Sequence, residues 1–219
     1  MKTIFLIASL FLFQGMIYAQ DSLVATKSKV VSITPLSGKI KEVNGFAVGL
    51  GGSLMDNSRY SQKINGFNLE LNPLGLVIWM FYDPSKPRDD SSPLTVNGLN
   101  ISSAGYGREV THHGLSVSLY NYSKKVSGVS ASGLMNYMDK GNGVFISMMG
   151  NNVDVLKGVS ISAFNSSEKM EGVQIGGLNG ADEIKGVQIG IINKSKKGKG
   201  LQIGLWNKNA KRSLPIINF

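Results

Sequence analysis

Apolar and polar residues alternate along this chain in short bursts, and each burst restarts on a glycine. Gly114-Leu-Ser-Val-Ser, Gly128-Val-Ser-Ala-Ser, Gly143-Val-Phe-Ile-Ser and Gly158-Val-Ser-Ile-Ser lead into Gly172-Val-Gln-Ile-Gly, Gly186-Val-Gln-Ile-Gly and Gly200-Leu-Gln-Ile-Gly, at steps of 14, 15, 15, 14, 14 and 14 residues. Looser copies start at Gly98, Gly66 and Gly45, with longer steps between them. With the leading glycine as position zero, position one is Leu, Val or Phe and position three is Ile, Val, Leu or Ala. Position four is Ser or Gly from Gly98 onward, and position six is usually large, as in Tyr120, Phe164 and Trp206. Asn121, Asn165, Asn179, Asn193 and Asn207 stand at position seven, before a polar and often charged run over positions eight to eleven. Position twelve is often apolar again, at Val126, Met170 and Ile184.

Alternation with a period of two predicts a strand with one buried face. Gly and Asn beside a polar cluster predict a turn, because both tolerate positive φ. No window carries the three-to-four spacing of a helix. The expectation is therefore all-β, with one main strand and one polar turn per repeat. Regular repeats of 14–16 residues run over 98–213, and irregular ones over 45–97 with an inserted loop at 82–95. A lead-in at 20–44 precedes them and a cap at 214–219 follows.

The repeat fits best a β-solenoid of coils about 14 residues long. Identical coils stacked ~4.8 Å apart turn each repeat position into a ladder of like residues. On this reading Val and Ile at positions one and three fill the core, and small residues at position four allow close approach. The position-seven asparagines are then placed to pass hydrogen bonds from coil to coil, as amide ladders do in cross-β stacks. Ser116, Ser130, Ser160, Gln174, Gln188 and Gln202, at position two, are expected to form a displayed polar face. The alternative is an up-and-down outer-membrane barrel, suggested by the terminal Phe219 after Ile217. A spanning strand needs ~10 residues, however, and here the apolar band is only about three residues tall.

The ends and the chemistry narrow the function. Lys2, the apolar run Ile4–Phe13 and the small Ala19 have the layout of a secretory signal peptide, 1–19. The chain has no cysteine, so no disulfide, thiolate metal site or lipoprotein attachment is expected. Export to the cell surface or outer membrane, or release from the cell, follows. His112 and His113 are adjacent and point to opposite faces if they lie on a strand, which disfavours a shared metal. No serine sits in a Gly-x-Ser-x-Gly elbow, and Asp89 and Asp90 read as a solvated loop tip. The apolar run Leu76–Tyr82 reads as a buried strand or end cap. No enzyme activity and no cofactor are expected.

The formal charge is +9, and from Ile184 to Phe219 there are eight Lys or Arg and no acid. Lys194, Lys196, Lys197, Lys199, Lys208, Lys211 and Arg212 mark a candidate polyanion site, and equally suit solvated turns. For an exported chain the matching partners are envelope glycans, lipopolysaccharide or a host surface, and a homo-oligomer is open. Nucleic acid is not expected.

Gly-Val-Gln-Ile-Gly-Ile-Ile-Asn and Gly-Leu-Gln-Ile-Gly-Leu-Trp-Asn, in the copies from Gly172 to Asn207, resemble an uncharacterised family of bacterial surface-repeat proteins. The resemblance covers residues 98–219 well and 45–97 loosely, and it implies a surface location but no activity. Gln174, Gly176, Asn179 and Ala181 are similar to the curlin repeat, from which the next copy departs at Ser195. The 14-residue step with Val-x-Ile-Gly is similar to the β-roll heads of trimeric adhesins. Together these imply a structural or adhesive protein that presents polar ladders and a basic C-terminal end.

Overall fold

The computed structural model describes residues 27–50, 61–71, 94–103 and 110–219. These form one sheet of seven strands in chain order: β1 (Lys27–Thr34), β2 (Ile40–Gly49), β3 (Gln62–Glu70), β4 (Leu94–Ser102), β5 (Val110–Ser147), β6 (Gly150–Lys208) and β7 (Ser213–Asn218). Every neighbouring pair up to β6 is parallel, and only β7 runs antiparallel. The signal-peptide segment, Leu76–Tyr82, Asp89 and Asp90 lie outside the described residues. So does the 82–95 insertion, apart from Leu94 and Thr95, which belong to β4.

The register is set by the leading glycines, which stack one on the next. Gly45 pairs with Gly66, Gly66 with Gly98, Gly98 with Gly114, and Gly143 with Gly158. β5 and β6 are thus not long straight strands but successive coils that stay extended around their corners. β1 to β4 contribute one rung each and β5 and β6 seven more, so the described residues form a parallel β-solenoid. The barrel alternative is excluded for this fold, since neighbours run in the same direction and the sheet does not close on itself. β1 shows that the segment read as a lead-in already holds a rung, disguised because Val30 replaces the glycine over which Gly45 sits. Residues read as a cap form β7, which covers the last coil.

Leading glycine is required by geometry. At Gly172 the backbone takes φ 138°, and a Cβ there would stand 2.0 Å from the carbonyl oxygen of Gly158. Neither the torsion nor the space admits another side chain.

The core inverts the expected parity. Side chains at positions two, four, seven and twelve are buried, whereas those at one and three point outward. The apolar interior comes mainly from the residue two before each glycine. Val43, Ile64 and Val96 anchor one buried cluster, and Val126, Leu156, Met170 and Ile184 a second. His112 occupies the same column between them, fully buried. Phe145, the one large apolar residue at position two among the regular copies, fits because Gly141 leaves the room that its ring fills.

Candidate functional site

Inside the solenoid, the polar residues form continuous ladders. Asn136 donates to Asn151 at 2.8 Å, Asn165 to Asn179 at 2.8 Å, Asn179 to Asn193 at 2.8 Å and Asn193 to Asn207 at 2.7 Å. Asn136, Asn151, Asn165, Asn179 and Asn193 also donate to a position-three carbonyl of the next coil, as Asn179 does to Ile189 at 2.9 Å. Asn121 joins through Ser130, which donates in turn to Asn136. Asn136 and Asn151 fall at position eight of the two 15-residue copies, so an extra residue hid their membership in the ladder. Glycine at position four serves this ladder: a Cβ on Gly176 would lie 2.7 Å from Asn165 Nδ2.

A second ladder runs through position two. Gln202 donates to Gln188 and Gln188 to Gln174, each at 2.8 Å. Asn218 of β7 closes it by donating to Gln202 at 3.2 Å. All three glutamines are buried, as are Ser116, Ser130 and Ser160. The expected display of polar ladders is therefore corrected: the ladders are interior. An amide bonded on both sides to its own copies loses little on leaving water, so a narrow β-column accommodates Gln and Asn where a wider core would exclude them.

What faces outward is aliphatic. From Gly98 onward every position-three residue except Ala131 is 36–42% exposed, in a row from Ile101 to Ile203. Position-one residues flank that row, and Phe164, Leu178 and Trp206 at position six extend it. Positions one to seven of all these copies contain no Asp, Glu, Lys or Arg. At the C-terminal end Ile175, Ile189, Ile191, Ile203, Leu205 and Ile216 line a shallow apolar depression floored by glycines.

In these copies, from Gly98 onward, charges are confined to the remaining positions. Glu171 sits between Lys185 and Lys157, at 2.7 and 3.8 Å, and these neighbours hold its carboxyl below the usual range, the Lys185 hydrogen bond most of all. Lys196 pairs with Asp182 at 2.9 Å and Lys197 with Glu183 at 3.4 Å. Burial, then Glu168 and Asp139, raise the Asp154 carboxyl. Of the seven candidate polyanion residues, Lys197, Lys199 and Lys211 line one pocket beside Phe219. Lys196 and Lys197 are engaged by acids, and Arg212 lies over the Phe219 ring at 4.4 Å while donating to the Phe219 carbonyl. Lys194 and Lys208 share one exposed column at position eight, Lys199 stands beside the next glycine, and Lys211 lies in the final turn.

His112 is buried and His113 exposed, on opposite sides of their strand. Burial first, and the charge of His113 second, lower the His112 imidazole to about 4. Among the described residues no three His, Asp or Glu gather into a group fit for a metal ion. Comparison with protein-family models, curated proteins and solved structures gives no match.

Proposed function

We propose that this chain is a non-enzymatic, exported repeat protein of the bacterial cell envelope, structural or adhesive in role, which binds its partner along the charge-free flank of its solenoid. The observation that carries the reading is that flank: a row of half-exposed Ile and Val at position three in seven of eight successive copies, broken only at Ala131 and without an interrupting charge. Soluble monomers rarely leave so long an apolar surface uncovered, and surfaces of that kind mark interaction sites. Buried amide ladders support the same role, because they hold the flank rigid and so spare the ordering cost of binding. The leader-like N-terminus and the resemblance to bacterial surface-repeat proteins support an envelope location.

The test is fractionation of the native cell. Recovery of the protein with the envelope, and its release by treatments that disrupt surface contacts, fits the proposal. Recovery in the cytosol with its N-terminal residues retained contradicts it.

A further inference from the structure

We infer that the partner of the apolar flank is an anionic lipid surface, on which the solenoid lies lengthwise. This rests on the proposal that the flank is the binding surface. Two borders frame the flank, position eight on one side and the residue before each glycine on the other. In the last copies these borders carry Lys194, Lys208, Lys157, Lys185 and Lys199, all exposed. Their single acid, Glu171, is already held between two of those lysines. Other acids of these copies, including Asp182 and Glu183, lie at positions ten and eleven, beyond the borders.

An apolar surface rimmed by lysines matches a leaflet with acidic headgroups: aliphatic side chains enter the acyl boundary and ammonium groups meet phosphate. A second copy of the chain fits less well. Two flanks laid face to face would bring lysine rims together on partners that each carry a formal +9. Trp206, half exposed at position six beside Leu205, stands where interfacial tryptophans settle.

Trp206 also supplies the readout. The full chain with Trp79→Phe leaves it as the sole tryptophan, since the sequence has two. Mixed with phosphatidylcholine vesicles containing phosphatidylglycerol, this protein should co-sediment, shift its emission to the blue and be quenched by lipids brominated near the headgroup. Pure phosphatidylcholine should bind it at least about tenfold more weakly, because the rim lysines then meet no anionic surface. The triple variant Ile189→Ser, Ile203→Ser, Leu205→Ser should lose both sedimentation and the shift while keeping the β-sheet circular dichroism of the parent. Equal binding by the triple variant, or an unshifted Trp206, overturns the lipid assignment. So does a dimer in light scattering that the same three substitutions dissociate. Equal binding by the triple variant would also remove the flank as the binding surface, whereas the other outcomes leave that surface standing; the envelope location is decided separately by fractionation.

Discussion

At the residue scale, the molecule is defined by which side of the strand each amide occupies. Asn179 accepts from Asn165 and donates to Asn193 and to the Ile189 carbonyl. Asn179→Ala strands partners in a buried column and should cost about 1–3 kcal/mol in urea unfolding. Ile189→Ser, outward and 40% exposed, should cost less than about 1 kcal/mol; the reverse order would place the aliphatics inside. His112 sets a pH dependence. Its folded pKa, about 4, lies below the ordinary 6.5. Above pH 6.5 both states are neutral and stability is full. As pH falls from 6.5 to 4 the unfolded chain takes up a proton that the folded chain resists, and of the order of 3 kcal/mol is lost. Below 4 this contribution stays constant. His112→Val, matching Val96 beneath it, should flatten that part of the stability profile relative to the parent; an unaltered profile would place the titration elsewhere.

At the scale of elements, much of the fold is legible in the sequence. Glycine spacing sets the register, and Asn after a strand marks the corner. The direction of the side chains is the part that the alternation misplaces, for a physical reason. Apolar residues at positions one and three suggest a core by the usual rule for a half-buried strand. Position twelve, however, lies in phase with positions two and four, so Met170 and Gln174 share a face on one extended run. Val173 and Met170 cannot both point inward there, and the apolar position twelve was the signal that the even positions are interior. The rule fails here because stacked amides satisfy one another, a pairing that a single repeat read alone does not reveal. β7 was legible only as an ending. Its antiparallel course, with Ile216 at φ 65°, lets Asn218 bond Gln202 and stop the glutamine ladder. Deletion of 213–219 should uncover the backbone edge and the amides of the last coil, a template for pairing with another chain. Sedimentation velocity should then show concentration-dependent association that the parent lacks; a truncated chain that stays monomeric would deny β7 a capping role.

At the scale of the whole molecule, the solenoid separates two kinds of surface along its length. One flank is aliphatic and free of charge, while the other corners carry ion pairs between successive coils, such as Lys196 with Asp182. These exposed pairs contribute little to stability, and their value lies in keeping charge off the flank. Rigidity comes from within, from the asparagine column between Asn136 and Asn207 and the glutamines beside it. The chain has no cysteine, so thiols introduced one at a time report directly on which positions face solvent. In the purified, lipid-free protein, Ile175→Cys, Ile189→Cys and Ile203→Cys should react with a maleimide at rates near those of the unfolded chain. Ser160→Cys, Gln188→Cys and Asn193→Cys should be protected until denaturant is added. Rapid labelling at Ser160, Gln188 and Asn193, with protection at the three isoleucine positions, would contradict the account of an amide-filled solenoid with an aliphatic exterior.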